Sequence, residues 1–237
     1  MRRTSQAFTR LELLAVLAAL LLLAVLALPL LAAMRSDSER AACFNNLRQM
    51  GRASHQWADE RTGRFPWITF VGDGGTKPDT VNKSAVVWTE FITLSNELVR
   101  PQILACPSER AAKVAGNWGG AANGLANTGL RNNAVSYFLN YHGPPELPRA
   151  VITGDRDFNP SSTSLVGCSR GNLNNAVAVG QFVGVPVRWT NAVHAAAGHL
   201  LFVDGSVEFV GSARLNNVLF GPEVQNDSSS VHLIYPR

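Results

Sequence analysis

The side chains that most often carry catalysis do not form a recognised catalytic pattern in this chain. No H-E-x-x-H sequence and no histidine pair at helical spacing is present, so the zinc-enzyme pattern is absent. No G-x-S-x-G sequence presents a serine nucleophile, and the glycine-rich stretch 72–75 lacks the lysine of a phosphate-binding loop. The sequence therefore predicts no enzyme, no resident metal and no cofactor. The scattered histidines are His55, His142, His194, His199 and His232.

Calcium remains an alternative, because aspartates are concentrated near predicted turns. Asp155, Asp157 and Asp204 would offer hard oxygen ligands if their turns converged in space. Aspartate is also an ordinary turn-forming residue. We favour this second interpretation and keep calcium as the alternative.

An acidic residue, Glu12, stands just before an uncharged apolar run, 13–33. The run has 21 residues, enough to cross a hydrocarbon core about 30 Å thick at about 1.5 Å per residue. A carboxylate so close to hydrocarbon is costly and is functional by default. Basic residues precede the run at Arg2, Arg3 and Arg10, which predicts a cytoplasmic amino terminus and an exported remainder.

The stretch Ala7-Phe8-Thr9-Arg10-Leu11-Glu12 resembles a type IV prepilin signal, with Ala7 where glycine is usual. The resemblance implies cleavage between Ala7 and Phe8 by a prepilin peptidase, methylation of the new terminus, and Glu12 inside the mature helix. Pro29 matches the helix-bending proline of pilins and type II secretion pseudopilins.

Further segments are similar to a large pseudopilin-related family whose members carry a prepilin leader. The carboxy-terminal signature of that family is matched by His194, nine intervening residues, and Asp204-Gly205. The other similar segments are the C-x-N-N-L-x-Q sequence at 43–49, Cys106-Pro107-Ser108 and Gly154-Asp155-Arg156.

The resemblance implies a structural subunit of a type II secretion or type IV pilus-like assembly. Its expected partners are the prepilin peptidase, other pilin-like subunits through the amino-terminal helix, and the inner membrane, with the head in the periplasm. The alternative is a membrane-anchored extracytoplasmic binding or adhesion protein that does not polymerise. Cleavage would lower the formal charge of +4 by two, which gives no support for nucleic-acid binding.

The predicted fold is α+β and pilin-like. A helix over about 9–59 has a membrane half and an amphipathic half, whose apolar stripe packs on an antiparallel sheet. Strands are predicted near 134–141, 151–157, 200–203, 206–210 and 231–235, with a helix over 212–219 and a helical preference for 85–98. The predicted regions are a leader at 1–7, a transmembrane helix at 8–34, an amphipathic helix at 35–60 and a head at 61–237.

Asp204-Gly205 between two apolar runs is a strong signal for a tight hairpin turn. His194 and Asp204 lie at opposite ends of the first strand of that hairpin, so we interpret both as structural residues. Asp204 would accept backbone N–H bonds in the turn.

The three cysteines, in an exported head, can form at most one intramolecular disulfide. Cys43 lies on the helical stripe and Cys106 ends an apolar run, which favours a Cys43–Cys106 bridge with Cys168 left over. The alternative is that Cys43 is a small apolar side chain in the helix–sheet contact.

Overall fold

The computed structural model describes residues 9–77, 86–140, 145–159, 187–221 and 233–234. The chain divides into two compact units, Met1–Glu39 and Arg40–Arg237. Helix α1 (Arg10–Asp59) has 50 residues and runs from the first unit into the second. The predicted α+β, pilin-like layout is confirmed, because the later part of this long helix packs on an antiparallel sheet.

In the first unit, the described residues belong to α1 and include its apolar part. Among the described residues, α1 is the one helix long and apolar enough to cross a membrane. Its leucines and valines are exposed, from 48% for Val16 and Leu17 to 78% for Leu11. The helix continues through Pro29 without an interruption.

The second unit contains a five-stranded antiparallel sheet in the order β6-β5-β2-β1-β7. Two further strands, β3 and β4, form a separate antiparallel pair. The strands are β1 (Tyr137–Asn140), β2 (Val151–Asp155), β3 (Phe158–Asn159), β4 (Arg188–Trp189), β5 (Ala197–Phe202), β6 (Val207–Gly211) and β7 (Leu233–Ile234).

The described part of this unit also contains three shorter α-helices and four 3-10 helices. The α-helices are α2 (Val87–Thr93), α3 (Ser95–Leu98) and α4 (Ser212–Phe220). The 3-10 helices are Pro66–Ile68, Val71–Asp73, Pro101–Leu104 and Arg131–Ala134.

The sheet separates two apolar cores, because successive side chains of a strand point to opposite faces. On β5, Leu201 belongs to the core shared with α1, whereas Leu200 and Phe202 belong to the core shared with α4. Gly51 of α1 allows a close approach, since a Cβ there would lie 2.9 Å from a methyl of Leu201. The α1 residues in this contact share burial and an apolar stripe, and include Cys43, Leu47, Met50, Ala53, Trp57 and Ala58.

Candidate functional site

The amino-terminal end of α1 contains a local partner for Glu12. The backbone N–H and the hydroxyl of Thr9 both donate to Glu12 Oε2, at 2.8 and 2.9 Å. The Glu12 N–H lies 3.3 Å from Thr9 Oγ1 in return. This reciprocal arrangement is a capping box, which satisfies backbone donors at a helix start. Glu12 therefore stabilises the beginning of its own helix, a role that the T-x-x-E spacing could have revealed.

The predicted cleavage residues Ala7 and Phe8 lie outside the described residues, as does Cys168. Pro29 lies inside α1, in the exposed apolar part.

In the head, Cys43 of α1 and Cys106 are joined by a disulfide, with their Cα atoms 5.1 Å apart. This is the pair that the sequence favoured, and both residues are buried in the core shared by α1 and the sheet. One turn further along α1, Asn46 donates through Nδ2 to the carbonyl of Ala105 at 3.2 Å. The helix is thus held to the segment before Cys106 by one covalent and one polar contact.

The disulfide is adjacent to a buried polar cluster formed by Asp155, His194 and His199. His194 Nε2 lies 3.5 Å from Cys106 Sγ and 3.3 Å from Asp155 Oδ2. His199 Nδ1 lies 3.0 Å from the same carboxylate oxygen, to which the His199 backbone N–H donates at 2.7 Å. All three side chains are 3% exposed or less.

The sheet register brings this cluster together. Asp155 ends β2, and the pairing of β2 with β5 places Gly154 opposite Leu200, next to His199. Gly154 is required by this approach, because a Cβ there would lie 2.6 Å from the His199 carbonyl oxygen. The next residue but one, Arg156, donates through Nε to Glu109 at 2.8 Å.

His194 reaches the cluster through an unusual backbone. The two residues that follow it, Ala195 and Ala196, have positive φ values of 53° and 63°. Non-glycine residues adopt this region at an energetic cost, which persists only where the surrounding structure imposes it. The turn between His194 and β5 therefore stores strain directly beside the cluster.

The electrostatics of the cluster favour an ionised aspartate. Burial pushes the pKa of Asp155 upward, but hydrogen bonds from His194 and His199 outweigh burial and leave the pKa below its ordinary value. Burial and the negative charge of Asp155 raise the pKa of Tyr137 well above its ordinary value, so the neighbouring phenol stays protonated.

Asp204 and Gly205 form the turn between β5 and β6, as the sequence predicted. Asp204 Oδ1 accepts from the Ser206 backbone N–H at 2.8 Å and from its hydroxyl at 2.5 Å. Gly205 has a φ of 79°, which favours glycine. The structural role expected of Asp204 is therefore the one its contacts show.

The three aspartates considered for calcium do not converge. The Asp204 N–H donates to Pro148, before the start of β2, whereas Asp155 ends that strand. Asp157 instead accepts from the hydroxyl of Thr190 and from the Val193 N–H. These aspartates belong to separate local structures.

The similar segments noted in the sequence meet at one place. Cys43 and Asn46 come from the C-x-N-N-L-x-Q segment, Cys106 from Cys-Pro-Ser, Asp155 from Gly-Asp-Arg, and His194 from the carboxy-terminal signature. They form the contact between α1, β2 and the entry to β5. Asp204 and Gly205, at the other end of β5, do not take part.

No family model matches the chain, and no curated protein or solved structure gives a significant match.

Proposed function

We propose that this chain is a pseudopilin-like structural subunit of a type II secretion or type IV pilus-like assembly. It would be inserted in the inner membrane with its amino terminus in the cytoplasm and its head in the periplasm. A prepilin peptidase would trim it after Ala7, and its amino-terminal helix would then contact the helices of other pilin-like subunits.

The observation that carries this proposal is that the two parts of one continuous helix differ in burial. In α1, the part before Arg40 has an exposed apolar surface, whereas the part after it contributes buried residues to the core of the head. A plain anchor needs only the first part. The later part of α1 is also joined to the head by the Cys43–Cys106 disulfide, which a plain anchor does not need.

The apolar part requires lipid or other apolar helices as its environment. Leu11, Leu21 and Leu28 are each about two-thirds exposed or more, and their neighbours are similar. An apolar surface of this extent marks a membrane or protein interaction site. In lipid, helices associate through close packing and polar contacts, so Glu12 would be the polar contact of this surface.

The capping box leaves capacity for such a contact. Thr9 donates twice to Glu12 Oε2, and among the described residues the second oxygen, Oε1, has no partner. In the pilin family this carboxylate is thought to pair with the amino terminus of a neighbouring subunit. An ion pair of that kind gains strength where water is excluded, so assembly in the correct axial register would relieve the cost of burying Glu12.

The second candidate is a membrane-anchored binding or adhesion protein that does not polymerise. The capping box supports this second candidate, because Thr9 gives Glu12 a hydrogen-bond partner inside its own chain. The carboxylate therefore has a role without a neighbouring subunit.

Three variants expressed with a prepilin peptidase separate the two candidates. Glu12→Ala should still insert in the membrane, because a charge is removed from an apolar segment. The incorporation of Glu12→Ala into cross-linked or sheared assemblies should fall. Glu12→Gln keeps the cap geometry without the charge, and its incorporation should fall as well.

Thr9→Ala is the matched control, because it removes the hydroxyl of the capping box and keeps the carboxylate. It should assemble like the wild type. If Glu12→Ala assembled like the wild type, the ion-pair role would be refuted. If Thr9→Ala showed an assembly defect equal to that of Glu12→Ala, the role of Glu12 would be limited to capping its own helix.

A further inference from the structure

We propose that Asp155, His194 and His199 form a binding site for a zinc-class divalent metal ion inside the head. The site is distinct from the apolar helix and does not depend on whether the chain polymerises. It would lock the entry to β5 against the end of β2, next to the disulfide that holds α1.

The first support is the convergence of three ligand atoms. One ring nitrogen of His194, one ring nitrogen of His199 and one carboxylate oxygen of Asp155 all lie within 4.8 Å of one another. Imidazole nitrogen and carboxylate oxygen are ordinary zinc ligands, with bonds of about 2.0–2.2 Å. Tetrahedral bonds of that length place neighbouring ligand atoms about 3.3 Å apart. The observed separations from Asp155 Oδ2 are 3.3 Å to His194 and 3.0 Å to His199.

The second support is an unsatisfied carboxylate oxygen. Asp155 Oδ2 receives the contacts of both imidazoles and of the His199 N–H, whereas Oδ1 is buried and has no hydrogen-bond partner in the described part of the chain. A buried polar atom without a partner is costly. A cation bound at Oδ2 would offset the negative charge that the two carboxylate oxygens share, including the charge on the unpaired Oδ1.

The third support is the way the site is built. Strained residues Ala195 and Ala196 hold His194 in place, and Gly154 leaves room for the strand that carries His199. The rings of Phe44 and Phe209 lie 6.2 and 4.8 Å from the ring of His199. The three ligand side chains are themselves 3% exposed or less, so water has little access to the site.

The arrangement does not fit a cysteine–histidine–aspartate nucleophile. In such a triad the base contacts the nucleophile through one ring nitrogen and the orienting carboxylate through the other. Here His194 uses the same atom, Nε2, toward both Cys106 Sγ and Asp155 Oδ2. Cys106 is also bound in the disulfide, so it supplies no thiolate.

The nitrogen ligands set the expected selectivity. Two imidazoles favour zinc, cobalt, nickel and copper over magnesium and calcium, which prefer oxygen. Each ligating nitrogen must offer its lone pair, so each imidazole would bind the ion as the tautomer whose N–H is on its other ring nitrogen.

The test uses the full-length chain in detergent, purified without a histidine tag, stripped with a chelator and then offered Zn²⁺. After desalting, elemental analysis of the wild type should give about one zinc per chain. Asp155→Asn and His199→Gln should each weaken binding about 100-fold or more. The matched control is His55→Gln, since His55 lies on α1 outside the cluster, and it should bind like the wild type.

A second measurement on the wild type alone keeps the test decisive if a variant fails to fold. Co²⁺ should give the intense visible bands of a tetrahedral site without a thiolate charge-transfer band, and Zn²⁺ but not Ca²⁺ should raise the melting temperature. A folded wild type that retains no zinc after desalting, zinc binding unchanged by Asp155→Asn, or a weak octahedral Co²⁺ spectrum would each overturn the proposal.

Discussion

Removing the Cys43–Cys106 disulfide should destabilise the head by a predictable amount. The two cysteines are 63 positions apart. In the chain-entropy model, a bridge of this span lowers the free energy of folding by about 4 kcal/mol, because it restricts the unfolded chain. For a head of this size, each kcal/mol corresponds to about 2–4 °C in melting temperature. The variant Cys43→Ala/Cys106→Ala should therefore melt about 8–16 °C below the wild type.

Tryptophan fluorescence is a suitable assay for this loss. Trp57 of α1 and Trp67 are each 1% exposed and belong to the same core as the disulfide. Urea titration of the full-length chain in a mild detergent would report their exposure to water. Cys168→Ala is the control for removing a cysteine, and it should leave the midpoint unchanged.

A double variant within about 1 kcal/mol of the wild type, in the range of an ordinary substitution, would mean that apolar packing alone holds α1 on the sheet. Non-reducing peptide mapping of the wild type provides the covalent check, since a Cys106–Cys168 link or three free thiols would contradict the bridge itself.

Three further predictions concern the sheet and its turn. Asp204→Ala and Gly205→Ala should each lower the free energy of unfolding by about 1–2 kcal/mol, because the first removes the turn acceptor and the second places a Cβ at a φ of 79°. Gly72→Ala, which has open space at the Cβ, is the control in thermal melts. An unchanged melting temperature in both turn variants would refute the turn assignment. Burial raises the pKa of Asp204, but hydrogen bonds from Ser206 outweigh it and hold the pKa below the ordinary 3.8. The stability that ionised Asp204 contributes should then be fully present above pH 3.8 and be lost as the pH falls through the lower pKa of the folded state. If the stability difference between the wild type and Asp204→Ala disappeared near neutral pH, this expectation would be contradicted. Gly198→Ala should destabilise the sheet more than Gly72→Ala does, because its Cβ would lie 2.6 Å from the Trp189 ring, and equal melting temperatures would show that the ring moves freely.

Helix ends and tight turns could be predicted from the sequence, because neighbouring residues determine them. The apolar stripe predicted a helix to about residue 59, and α1 ends at Asp59. The Asp-Gly turn predicted the hairpin of β5 and β6, and its φ value and hydrogen bonds explain why. No local pattern marks Ala115 and Leu125 as core residues, yet both are fully buried.

The polar cluster could not be found in the same way. Asp155, His194 and His199 have no recognisable spacing, because β2 meets β5 through a pairing of strands far apart in sequence. The resemblance to pseudopilin-related proteins selected Asp155 and His194 as separate motifs but gave no reason for them to meet. His199 belongs to no motif, and nothing local in the sequence distinguishes it from His55 or His232.

Intact and peptide mass spectrometry of the amino terminus tests the central claim most directly. The protein would be isolated from the membranes of cells that contain a prepilin peptidase, with peptidase-deficient cells in parallel. A mature chain beginning at Phe8, with a methylated amino group, is the predicted result, and the precursor should remain intact when the peptidase is missing. A chain that begins at Met1 in both cells would contradict assembly as a processed pseudopilin-like subunit and leave the helix as an anchor.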